Sequence, residues 1–127
     1  MTKSEQALAR RAIACEGWRW LPGMRWVDQE HGTEGRIEDD EDAGCFTACP
    51  EGELPDLTEP CTLGGLLALV REAWGTRTAW IEPGHDGLWE ACVYVGGECR
   101  FLESYQTEAE ALVAALEAAP VRAGGEE

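Results

Sequence analysis

Apolar positions fall at three- and four-residue spacing in three stretches of the chain and alternate in several segments between them. Leu8, Ala9, Ala12 and Ile13 make the first stripe, on a helix that opens with the capping-box spacing Thr2-Lys3-Ser4-Glu5 and should stop at Gly17. Leu63, Leu66, Leu67, Val70, Ala73 and Trp74 make the second and clearest, with Pro60 in its first turn and Gly75 after its last. Leu112, Val113, Leu116 and Ala119 make the third, behind a second capping box at Thr107-Glu108-Ala109-Glu110 and ahead of Pro120. Gly64-Gly65 in the central helix costs about 1 kcal/mol per residue relative to alanine. Another backbone or a ligand is expected to approach there, tight packing on a sheet being the simpler case.

Residues 78–82, 88–95 and 98–104 read as a three-stranded meander, with Pro83-Gly84-His85-Asp86-Gly87 and Gly96-Gly97 as its turns. Upstream, Pro22-Gly23 suits the centre of a type II turn, which predicts a hairpin or bent strand pair over 18–27, with a further short strand at 35–38. Between about 38 and 55 periodicity disappears and glycine, proline and acid dominate, so a long acidic loop is expected. The order predicts an α+β class: an antiparallel sheet, hairpin plus meander, with about three helices packed on one side. At 127 residues, 44% of them apolar, the chain suits a single domain over 1–120 and a frayed tail over 121–127.

Charge narrows the partner. Residues 28–60 hold twelve acids against the single cation Arg36, within a chain whose net charge is −15. Such a field repels nucleic acid and anionic membranes and attracts basic protein surfaces. Glu34, Glu38, Asp39, Asp40, Glu41, Asp42, Glu51 and Glu53 are the candidate partner-binding acids. The field also serves solubility, and that alternative stays open. No apolar run is long enough for a membrane span and no signal-peptide pattern opens the chain, so a cytoplasmic protein of a bacterial host is expected, its oligomeric state open.

In the predicted hairpin, Trp18, Arg19, Trp20, Arg25 and Trp26 form a basic, aromatic patch suited to stacking a nucleobase or holding a phosphate. That suggests an alternative function, a nucleotide-sequestering module; the plainer reading is an amphipathic hairpin with its arginines lying over apolar surface. Most of the six tryptophans are expected in the core, with one or two exposed as interface anchors. The six cysteines should be reduced, as no export signal accompanies them. A turn at Gly96-Gly97 sets Cys92 opposite Phe101 and Cys99 opposite Tyr94, too far apart diagonally for an easy bridge, so both cysteines are expected as small buried residues.

His31, Cys45, Cys49 and Cys61 offer a weak zinc pattern, since only one close cysteine pair exists. No cofactor is expected. Neither His31 nor His85 belongs to a catalytic motif, and no phosphate loop or nucleophile elbow is present, so a non-enzymatic role is expected.

Four segments carry a resemblance: 17–24 around Gly17-Trp18-Arg19-Trp20 and Pro22-Gly23-Met24, 54–60 (Leu-Pro-Asp-Leu-Thr-Glu-Pro), 66–75 (Leu-Leu-Ala-Leu-Val-Arg-Glu-Ala-Trp-Gly) and 107–116. Over roughly half its length the chain thus resembles a group of small phage and prophage proteins, departing from the group's pattern at Glu59 and Cys61. The resemblance implies an origin in a phage genome or integrated element, and with it antagonism of host defence, anti-CRISPR-like or other; the negative charge points to docking on a basic surface of a host protein as the means. The resemblance carries over no active-site residue.

Overall fold

Local signals at the helix ends set the frame on which the sheets assemble. The computed structural model describes residues 1–39, 41, 52–84 and 86–120. Helix α1 (Lys3–Ile13) starts on a reciprocal cap: the Glu5 amide donates to Thr2 Oγ1 at 3.0 Å, and the Thr2 amide donates to Glu5 Oε1 at 3.0 Å. It ends at Ile13 with Ala14 as its cap, before the expected Gly17. A Cβ on Gly17 would lie 3.2 Å from both Ala73 Cβ and Leu116 Cδ1, so the chain turns there against packed neighbours.

Strand β1 (Arg25–Asp28) lies between β2 (Thr33–Arg36) and β3 (Glu53–Pro55) in one antiparallel sheet. The turn at Pro22-Gly23 forms, with Gly23 at φ 98° and the Met24 amide donating to the Leu21 carbonyl at 3.1 Å. The hairpin expected around it does not. The Gly23 amide donates to the Ile37 carbonyl at 2.8 Å, the Ile37 amide donates to Met24 at 2.8 Å, and the Asp56 amide donates to Arg25 at 2.9 Å. Both sides of 23–28 are thereby taken by 33–37 and 53–56, leaving no ladder for 18–21. For the same reason the expected acidic loop ends sooner, in β3. In β2, Gly35 sits opposite Trp26, whose indole would be 2.7 Å from any Cβ added there.

Helix α2 (Pro60–Trp74) runs from Pro60 at its start to Gly75, which adopts the left-handed conformation at φ 69°. Glu59 caps it: the Thr62 amide donates to Glu59 Oε1 at 3.1 Å. Strands β4 (Ala79–Pro83), β5 (Trp89–Val95) and β6 (Glu98–Tyr105) form the expected meander as a second sheet, and α3 (Glu108–Ala118) follows under a Thr107 cap. Gly96 and Gly97, at φ 62° and 81°, supply the two positive-φ positions of a tight hairpin turn. Cys92 accordingly pairs with Phe101 and Tyr94 with Cys99. The chain is an α+β fold with two three-stranded sheets in place of the single sheet expected.

Helices α2 and α3 contact the meander and share a core with Ala79, Ala91 and Val93. Met24 reaches into this core beside α2 and meets Gly65: a Cβ there would lie 2.8 Å from Met24 Cε. The close approach at Gly65 is by a side chain, that of Met24, and Gly64 has open space. Among the described residues, no helix is long and apolar enough to cross a membrane.

Candidate functional site: the open face of the meander

Alternation along β4 and β5 sends Ala79, Ala91 and Val93 to the helices and turns Trp80, Glu82, Glu90, Cys92 and Tyr94 the other way. Phe101, paired with Cys92, joins them on that outer face. An irregularity in the β5–β6 pairing, between Glu90 and Cys92, lets Ser104 meet Glu90 while Trp89 and Tyr105 still pack on the core. On this face Tyr94 is 45% and Phe101 58% exposed, the two large apolar side chains that lie open among the described residues.

These rings stand where tryptophan anchors were expected. None of the six tryptophans is exposed: Trp20 and Trp74 are buried and the other four half-buried. Trp18 and Trp20 meet edge to face at 5.4 Å and 81°. The two arginines expected in the Trp-Arg patch carry carboxylate partners. Arg19 pairs with Glu72 at 2.7 Å, and Arg25 is held between Glu34 and Asp56. Cavities of about 570 Å³, beside Cys15 and Leu116, and about 300 Å³, beside Leu8 and Leu57, are lined by no tryptophan.

The acidic candidates divide. Glu34 is bound to Arg25; Glu38, Asp39 and Glu41 are exposed; Glu53 is half-buried on β3. Asp40, Asp42 and Glu51 lie outside the described residues, as do Cys45, Cys49, His85 and the tail 121–127. Of the weak zinc pattern, His31 is engaged elsewhere: its Nδ1 lies 2.8 Å from an oxygen of the buried Asp28. That hydrogen bond holds the Asp28 carboxyl below its ordinary range and raises His31. Cys61 is exposed in the first turn of α2.

Glu59 has a role that charge alone did not reveal. Besides capping α2, it accepts from Arg36 Nη1 and Nη2, each at 3.1 Å. Hydrogen bonding from Arg36, with further bonds from Thr62 and against the effect of burial, lowers the Glu59 carboxyl to about 2. Glu59→Gln keeps an oxygen for the cap but removes the charge that pairs with Arg36, and should cost up to about 1 kcal/mol at neutral pH. Because the folded value lies below the ordinary 4.5, this contribution is complete above 4.5 and fades as pH falls through about 2. The two proteins should therefore converge in urea denaturation at the acidic end; a constant difference across that window would rule out the ion pair as its source.

Cys92 is wholly buried beside this open face and Cys99 is exposed, correcting the expectation that both are buried; both are free thiols. Burial, reinforced by Glu82 and Glu90, pushes the Cys92 thiol up to about 11. It is a poor nucleophile at neutral pH.

Comparisons with protein-family models, with curated proteins and with solved structures find no match to this chain.

Proposed function

We propose that the chain is a phage-type, non-enzymatic acidic binding protein that docks on a basic surface of a host protein as an antagonist of host defence. The observation that carries this reading is the pair of exposed rings, Tyr94 and Phe101, on a sheet face that also presents Glu82 and Glu90. Aromatic side chains supply much of the energy of interfaces, and their faces also attract lysine and arginine. A net charge of −15 speeds encounter with a cationic partner. In this reading the exposed Glu38, Asp39 and Glu41 act at long range, and the meander face makes the contact.

The test is affinity capture from a bacterial host lysate, identification of the bound protein, and titration of that protein with wild type and variants. Replacing both Tyr94 and Phe101 by serine should weaken binding by about thirty-fold or more, corresponding to about 2 kcal/mol for one hot-spot residue. Raising the salt concentration should weaken the wild-type complex. A partner without a basic surface, or an affinity indifferent both to salt and to the ring substitutions, would overturn the proposal.

A further inference from the structure

The β4–β5 register places Glu82 directly opposite Glu90, and Trp80 opposite Cys92. Glu90 and Cys92, two residues apart on one strand, share a face. As a result an oxygen of each carboxylate and the Cys92 sulfur all lie within 4.8 Å of one another. Two neighbours orient the acids: Trp80 Nε1 donates to Glu82 Oε1 at 2.9 Å, and Ser104 Oγ donates to Glu90 Oε2 at 3.3 Å. An ionised carboxylate has about four acceptor positions, so each retains capacity beyond these bonds.

Like charges directly opposite on neighbouring strands destabilise a sheet. Arg11, Arg19, Arg25 and Arg36 form ion pairs, but none of these involves Glu82 or Glu90. The thiol is a second, separate observation. Cys92 is 0% exposed, and no hydrogen bond of its sulfur is found among the described residues. A buried structural cysteine ordinarily rests among apolar groups. This one is aimed at two carboxylates, an arrangement that favours a cation between them.

We propose that Glu82, Glu90 and Cys92 form a zinc-binding site, with one thiolate and two carboxylate oxygens as protein ligands and solvent completing the tetrahedron. In a tetrahedron, zinc–sulfur and zinc–oxygen bonds of about 2.3 and 2.0–2.2 Å set neighbouring donors about 3.5 Å apart. Side-chain rotations that move the donor atoms by about 1 Å close the observed cluster, whose atoms lie within 4.8 Å of one another, to that spacing. The thiolate selects zinc over calcium or magnesium, which take oxygen ligands. On binding, the sulfur–hydrogen bond breaks, the proton leaves to solvent and the sulfur lone pair goes to the metal, with no change of oxidation state. The ion would tie β4 to β5 next to Phe101, the cross-strand neighbour of Cys92.

The experiment is a cobalt(II) titration of the reduced full-length chain, with zinc added afterwards to displace it. Wild type should develop thiolate-to-cobalt charge-transfer absorption that zinc removes. Cys92→Ser should abolish that absorption, while Cys99→Ser and a Cys45→Ser, Cys49→Ser double variant should keep it. Glu82→Gln and Glu90→Gln, which preserve shape, should each weaken cobalt binding at least as much as the roughly tenfold lost with a single outer-shell partner. Far-ultraviolet circular dichroism checks that each variant is folded. Absence of the band in wild type, its survival in Cys92→Ser, its loss in the Cys45/Cys49 variant, or unchanged affinity in both glutamine variants would overturn the site.

Discussion

Replacing Met24 by alanine should lower the free energy of unfolding by about 2–5 kcal/mol, the range for truncating a buried methionine. Met24 is 0% exposed and follows the Pro22-Gly23 turn, which directs its side chain onto α2. Trp20, Leu66 and Val70 of the same core are themselves buried. The substitution also tests why residue 65 is glycine. In the wild-type background a Cβ at Gly65 would meet Met24 Cε at 2.8 Å and Cγ at 3.2 Å. The gain of about 1 kcal/mol in helix propensity is then offset by overpacking, which costs about 1–3 kcal/mol. With Met24 shortened the obstruction is gone, and Gly65→Ala should become stabilising by up to about 1 kcal/mol. The double-mutant cycle, measured by urea denaturation, should show a coupling between the two sites. An identical effect of Gly65→Ala in both backgrounds would mean that the methionine contact is not what selects glycine.

Trp74→Ala should be at least as damaging, with an expected loss of about 3–5 kcal/mol. Trp74 lies at the last turn of α2, is 7% exposed, and its Nε1 donates to the Ala115 carbonyl at 2.9 Å, tying α2 to α3. Trp74→Phe separates the two contributions. It keeps an aromatic ring but removes the donor, and should cost about 1–2 kcal/mol, near the value of one hydrogen bond. If the phenylalanine variant were as unstable as the alanine variant, size-matched packing of the indole, and not burial of a ring, would hold the helices together. Thermal and urea denaturation of the three proteins decide between these outcomes.

Surface ion pairs should matter much less. Arg11–Glu117 and Arg19–Glu72, both about half exposed, join distant parts of the chain at 2.7 Å, but exposed pairs of this kind contribute about 0–1 kcal/mol. Glu59 differs because one carboxylate serves Arg36 and the first turn of α2 together.

Among the described acidic candidates, Glu34, Glu38, Asp39 and Glu41 are exposed and Glu53 is half-buried, while the hairpin expected to hold the Trp-Arg candidates does not form. Glu38, Asp39 and Glu41 are exposed as an acidic run must be. The hairpin expected to bring Trp18, Arg19, Trp20, Arg25 and Trp26 together does not form, because 24–27 pairs with other segments. The exposed anchors turned out to be Tyr94 and Phe101. Their exposure follows from which face of the meander the helices cover, and alternation alone distinguishes two faces without saying which one is covered.

What the sequence by itself determined was whatever depends on a few neighbouring residues. The Thr2-Glu5 cap, Pro60 at the start of α2, Gly75 at its end and the Gly96-Gly97 turn all act within one turn of chain. A two-residue hairpin leaves no slack, so it also sets Cys92 against Phe101. Tertiary structure alone decided which strands share a sheet, because ladder hydrogen bonds carry no residue identity and segments far apart in sequence compete for one edge. In that competition 33–37 and 53–56 displaced 18–21 from β1. It likewise decided the Glu82–Glu90–Cys92 cluster, since the longer turn between β4 and β5 permits more than one register, and one residue of slip would send these side chains to the opposite face.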